Sequence, residues 1–161
     1  MARKIKYEFD TEVFNIDELS KVETTLVNKA KEALKNAYAP YSDFFVGAAV
    51  LLDDGSIVLG NNQENAAYPS GLCAERVALF YIGANHPGKT ILQIAVAAKP
   101  KNATEYVQAG PCGSCRQVIL EYRNNQDQPI DLLLVQPDNE VLKMEVNNLL
   151  PFSFNKNSLI K

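Results

Sequence analysis

Apolar and polar positions change rhythm several times along the chain. Leu19, Val22, Leu26, Ala30, Ala33 and Ala37 recur at helical spacing, and Asn15 with Glu18 forms a capping-box pattern ahead of them. This predicts a helix from about Asp17 to Ala37, ended at "APYS" by Pro40. "FFVGAAVLL" and "SIVLG" are β-rich runs on either side of Asp54-Gly55, a hairpin signal. "PSGLCAERVALFYIGA" has turn residues first and helix formers after. "ILQIAVAA" then reads as a buried strand, "SCRQVILEYR" as a helix, and "IDLLLVQ" and "EVLKMEV" as strands parted by a turn at Pro137-Asp138. Ahead of all these, "IKYEF" alternates apolar and polar, as an edge strand would.

The resulting order, α-β-β-α-β-α-β-β, is that of an α/β protein. The expected architecture is a three-layer α/β/α fold with a mixed, about five-stranded central sheet and helices on both faces. With 161 residues and no internal repeat or linker, the chain reads as one domain over 1–161, with 1–14 as an N-terminal arm. The C-terminal Phe152 and Phe154 are too apolar for a free tail and are expected to cover something.

Charge narrows the partners. The net charge of −3 gives no basic face for phosphates, so no nucleic-acid partner is expected. Arg3, Lys4 and Lys6 are followed at once by acids and read as a solvated tail. The longest clean apolar run, Val46 to Leu52, is far short of the about 20 residues of a membrane span, so no membrane partner is expected. With no apolar leader core near the N-terminus, the expectation is a cytoplasmic, reducing location, which argues against a disulfide.

The chain has three cysteines. Cys112 and Cys115, in "GPCGSCRQVI", can form a disulfide, work as a redox pair, hold a metal or simply pack. Their placement bears on the choice. Cys73 follows a turn and opens one predicted helix, and Cys112 and Cys115 open the next. Helix N-termini at the ends of adjacent strands can converge, and their unpaired N–H groups favour thiolates. Three thiolates suit Zn²⁺ and leave a fourth position for water. The only histidine, His86, is a possible fourth ligand, but "ANHPGK" reads as an exposed turn. Glu75, two residues after Cys73, can share a site with it only where the helix end itself points there. A carboxylate so placed is a general base beside an activated water. A redox reading leaves Cys73 and Glu75 idle.

"NQENAAYPSGLCAERVALF" followed by "PCGSCRQVILE" closely resembles the free-nucleoside cytidine deaminase family, a likeness running from "AYAPYSDFFVGAA" to "LLPFSF". The resemblance implies zinc, one ion per subunit, held by Cys73, Cys112 and Cys115. It implies water attack at C4 of cytosine, with Glu75 moving the protons that release ammonia. It implies base contacts from Phe44 and the Ala74 backbone N–H, and ribose contacts from Asn62 and Glu64. The small members with three cysteine ligands are homotetramers. The resemblance therefore implies sites at subunit interfaces, to which Ala66, Tyr68 and Phe154 contribute from a neighbour. Arg76 and Arg116 would draw charge off the thiolates and so restore acidity to the water.

The expected function is hydrolytic deamination of cytidine and deoxycytidine in pyrimidine salvage. A deaminase of a cytosine-bearing antibiotic of the blasticidin S type is the nearest alternative, and the intact "NQEN" favours the nucleoside. A non-catalytic zinc-stabilised domain would leave Glu75 without a role. A polynucleotide-editing enzyme is disfavoured by the acidic charge and by Cys-Ala-Glu in place of His-x-Glu.

Overall fold

The computed structural model describes residues 2–159. Among them, one sheet is built from β1 (Glu12–Asn15), β2 (Phe44–Leu52), β3 (Ile57–Asn61), β4 (Ile91–Pro100), β5 (Asp131–Val135) and β6 (Glu140–Glu145), in the order β1-β6-β5-β4-β2-β3. Only β4 and β5 pair in parallel; the other neighbours are antiparallel. The helices are α1 (Lys21–Ala33), α2 (Ala74–Asn85) and α3 (Gly113–Asn124). This is the expected mixed sheet between helical layers, with six strands where about five were expected.

The additional strand comes from the arm, but not from "IKYEF". Residues 5–9 are exposed and carry no regular structure. The strand lies further on, where Glu12 stands opposite Lys143 and Phe14 opposite Val141 on β6. The long N-terminal helix is also shorter than its spacing suggests. Asn15 and Glu18 do form a capping box, but on a single 3₁₀ turn, Ile16–Glu18. Extended backbone at Leu19 breaks the helix, and a second box, Ser20 with Glu23, starts α1. Ser20 competes for the local N–H groups and wins, because it sits directly before the apolar stripe. A 3₁₀ turn at Leu34–Asn36 replaces the last predicted turn.

Both sheet faces are buried, and the period-two alternation of the strands divides them. Ala49, Leu51, Ala95, Ala97, Leu133 and Val135 pack against Leu26, Val27 and Ala30 of α1. Ala48, Val50, Leu52, Ile94, Val96, Leu132 and Leu134 pack against Ala74, Ala78, Leu79, Ile82 and Ile119 of α2 and α3. A strand covered on both sides needs no polar face, which is why β2, β4 and β5 read as continuous apolar runs.

The topology aims two helices at one place. β3 and β4 are both antiparallel to β2, so they run parallel to each other. α2 follows β3 and α3 follows β4, on the same face. Their N-termini therefore meet at one end of the sheet, beyond the carboxyl ends of two parallel strands, the common place for a ligand site in open α/β sheets.

Candidate active site

Cys73 is the N-cap of α2 and Cys112 the N-cap of α3, both with extended backbone. Cys115 lies one turn into α3 and is fully buried. The thiols meet as the topology requires: Cys73 Sγ is 3.7 Å from Cys112 Sγ, which is 3.5 Å from Cys115 Sγ. All three sulfurs lie within 4.8 Å of one another. Three soft donors so close, at two helix N-termini, fit one zinc ion and no harder cation. His86 is not among them. It caps the far end of α2, about 18 Å along a twelve-residue helix, with its ring beside Tyr81.

Gly60 sets how closely α2 approaches the sheet. A Cβ there would overlap Ala74 O and lie 2.7 Å from Ala78 N. The absent side chain lets the first turn of α2, with Cys73 and Glu75, sit directly on β3.

The electrostatics of the cluster favour a thiolate at Cys73. A hydrogen bond from Cys115, with a further contribution from Arg76, brings Cys73 down to about 5 against the opposing effect of burial. The bond to Cys73 and burial push Cys115 up. Arg76 Nη2 stands 3.6 Å from Cys73 Sγ. Arg116 does not reach the sulfurs as expected. Its Nε donates to Pro111 O at 2.9 Å and its Nη1 to Leu149 O at 3.3 Å, which ties the start of α3 to the C-terminal segment.

Glu75, in the first turn of α2, is 4% exposed. Burial pushes its carboxyl above the ordinary value. It lines a cleft of about 680 Å³ together with Cys73, Arg76 and Cys112. Phe44, Val46, Asn62, Glu64 and Tyr68 line the same cleft. The Asn62 side chain continues the sheet: Oδ1 accepts from Val46 N at 2.8 Å and Nδ2 donates to Phe44 O at 2.9 Å. Each group keeps spare capacity, one N–H and one lone pair. Ala74, the first residue of α2, is buried beside Cys73. Its backbone N–H is among those a helix leaves without an internal partner.

Of the three residues expected to act across a subunit interface, two lie outside the cleft of their own chain and one stands at its rim. Ala66 is exposed and outside the cleft. Tyr68 lies at the rim, 76% exposed, its ring edge-on to Tyr41. Phe154 is 59% exposed and away from the cleft, its carbonyl accepting from Gln117 Nε2 at 2.8 Å. Phe152 meets Tyr7 of the arm edge-to-face at 5.1 Å. The tail therefore does not cover its own chain's site. Conversely, sequence reasoning passed over Ser42, whose backbone N–H and hydroxyl both hold Glu64. The signal was available in "YSD", where short polar residues before a strand mark a side-chain-bonded turn.

Comparison with known proteins bears on the whole of this arrangement. The family model described as the cytidine and deoxycytidylate deaminase zinc-binding region matches residues 20–127. The cytidine deaminase of Sporosarcina psychrophila is 40% identical over 134 residues, covering 83% of this chain and 92% of the relative. That of Halalkalibacterium halodurans is 40% identical over 129 residues, covering 80% and 91%. The crystal structure of cytidine deaminase from Burkholderia pseudomallei superposes with a TM-score of 0.69 at 38% identity, covering 81% of this chain and 98% of that one. The matched region includes the three cysteines, Glu75 and the cleft, and the chain belongs to the zinc-binding cytidine and deoxycytidylate deaminase family.

Proposed function

We propose that the chain hydrolyses cytidine and deoxycytidine to uridine and deoxyuridine, releasing ammonia, in pyrimidine salvage. The observation that carries this reading is the buried Glu75 set beside the three-cysteine cluster at the wall of one cleft. Bound by Cys73, Cys112 and Cys115, zinc supplies the Lewis acidity that makes water a nucleophile near neutral pH.

The remaining chemistry belongs to the chain. Phe44 offers an apolar surface to the pyrimidine, and the free Ala74 N–H donates to it. Glu75 accepts the two protons of the attacking water in turn, passing the first to the ring nitrogen and the second, from the hydroxyl then on C4, to the departing amino group. Water oxygen joins C4, the C4–N bond breaks, and the amino group leaves as ammonia. Burial of Glu75 suits it to exchange protons rather than remain a permanent anion. Arg76 tempers the charge of Cys73.

Asn62 and Glu64 favour a nucleoside over a cytosine-bearing antibiotic. One spare N–H and one spare acceptor at the cleft wall match a sugar hydroxyl, which both accepts and donates. That hydroxyl is common to cytidine and deoxycytidine.

The assembly belongs to the same reading. A homotetramer with its sites at subunit interfaces would give a role to Ala66, Tyr68 and Phe154, which are exposed in the single chain. It would act in the cytoplasm on free nucleosides, without nucleic-acid or membrane partners. Among the described residues, no helix is long and apolar enough to cross a membrane.

Chromatography of cytidine, a blasticidin-type antibiotic and a cytosine-bearing oligonucleotide after incubation with zinc-loaded protein tests this proposal. Conversion of cytidine to uridine, with the other two intact, is the expected result. Conversion of the antibiotic alone would overturn the nucleoside reading.

A further inference from the structure

The carboxylate of Glu64 is held by a clasp. Its Oε2 accepts from Tyr41 N at 2.9 Å and from Ser42 N at 3.3 Å, and its Oε1 accepts from the Ser42 hydroxyl. A carboxylate has about four lone-pair sites, so these three donors leave one, on Oε1. The Ser42 hydroxyl is itself oriented, because its oxygen accepts from Phe44 N at 3.1 Å and its proton is left to point at Glu64. Ser42, Phe44 and Glu64 all line the cleft.

The turn that presents Ser42 is fixed from both sides. Tyr38 N donates to Asn62 O and Glu64 N to Tyr38 O, each at 2.9 Å, which straps the turn to the segment carrying Glu64. Asp43 adopts a left-handed backbone, φ 53°, uncommon outside glycine. Lys101 steadies it twice, through its N–H on Asp43 O at 2.8 Å and through its ammonium at 3.0 Å from the Asp43 carboxylate.

We infer that Ser42 is a positioning residue for sugar recognition: its hydroxyl fixes the Glu64 carboxylate so that a single acceptor site faces the sugar of the nucleoside. This rests on the reading of the cleft as a nucleoside site. Ser42 touches neither the cysteines nor Glu75, and it acts through Glu64. Hydrogen bonds from Ser42 and Tyr41 also hold the Glu64 carboxyl below its ordinary value, so it remains the acceptor that a sugar hydroxyl needs. Without the Ser42 hydroxyl, Oε1 turns to water and the acceptor is no longer preset.

The test compares zinc-loaded wild type, Ser42→Ala and Ser42→Thr on cytidine and on dideoxycytidine, which lacks the ring hydroxyls. Ser42→Ala should lower kcat/KM for cytidine about tenfold, chiefly through KM, the scale of one charge-assisted hydrogen bond. Turnover of dideoxycytidine should change less than about twofold, so the preference of wild type for the hydroxylated sugar collapses. Ser42→Thr, which keeps the hydroxyl, should restore that preference. If Ser42→Ala loses equally on both substrates, Ser42 merely shapes the cleft and the inference fails. If the preference survives in Ser42→Ala, the inference fails alone, with the nucleoside reading intact. Wild type inert toward both nucleosides would remove that reading and this inference with it.

Discussion

The sulfurs of Cys73 and Cys112 lie 3.7 Å apart across 39 positions of sequence, each at the residue that caps its helix. The sheet order produces this proximity, so the site exists only in the folded chain. Replacing Cys112 with serine should weaken zinc retention by more than the about 10–100-fold that loss of an outer partner costs. Elemental analysis after dialysis should find less than one zinc per chain in the variant. Chelation of the wild type should lower its unfolding midpoint by at least about 5 °C, because zinc binds the folded chain and stabilises it by mass action.

Arg76 and Arg116 should behave differently, although sequence reasoning assigned them one role. Arg76 approaches Cys73 Sγ, whereas the hydrogen bonds of Arg116 go to the Pro111 and Leu149 carbonyls. Arg76→Gln should shift the pH–rate profile upward, because the thiolates keep more of their charge and the water becomes less acidic. Arg116→Gln should leave the profile in place and lower thermal stability, since two carbonyls lose a charged donor. Identical profiles for both variants and wild type would remove Arg76 from the chemistry.

The approach of α2 to β3 gives a prediction remote from any charge. Gly60→Ala must push against the Ala74 and Ala78 backbone rather than against a flexible side chain. The cost should be about 1–3 kcal/mol of stability. The displaced first turn carries Cys73 and Glu75, so zinc content and turnover should fall together. Denaturant unfolding and metal analysis of one preparation test both effects.

Acid stability should depend on Glu23, which joins α1 to the sheet. Its Oε1 accepts from Lys143 Nζ at 2.9 Å, while Ser20 N donates to Oε2 at 3.0 Å. Burial pushes this carboxyl up, but the bonds from Ser20 and Lys143 outweigh it and bring it down to about 2, from an ordinary value of 4.5. A carboxyl lowered by folding stabilises the protein above its unfolded value, and that stability is lost as pH falls toward the folded value. Wild type should therefore lose roughly 1–2 kcal/mol from this residue between about pH 4.5 and 2, once solvent screening is allowed for. Glu23→Gln should show a flatter pH dependence of its denaturation midpoint over that interval.

The elements that sequence reasoning located are those whose signals are local. The Asp54-Gly55 hairpin, the apolar runs of β4 and β5 and the helix starts at Cys73 and Cys112 each carry their own pattern. Convergence of the three cysteines followed from helices that alternate with strands. Other features depend on competition or distance. Two capping boxes five residues apart, at Asn15 and Ser20, compete for one helix start, and periodicity could not rank them. Val13 pairs with Leu142, and Ser42 holds Glu64 twenty-two positions away; neither partner leaves a mark near the other. Arg116 sits beside Cys115 in sequence, yet its guanidinium reaches Leu149, because the C-terminal segment folds back on α3.

The proposed reaction turns on Glu75, which would move protons at a zinc-binding cluster to deaminate a nucleoside. The most direct measurement is the ultraviolet absorbance of cytidine during incubation with zinc-loaded protein, beside Glu75→Gln with equal zinc content. Cytidine absorbance should fall with wild type, and with the variant at least about a hundredfold more slowly, the low end of what a positioned general base contributes. Undiminished turnover in Glu75→Gln would remove Glu75 from the proton transfers, and cytidine left intact by zinc-loaded wild type would rule out nucleoside deamination.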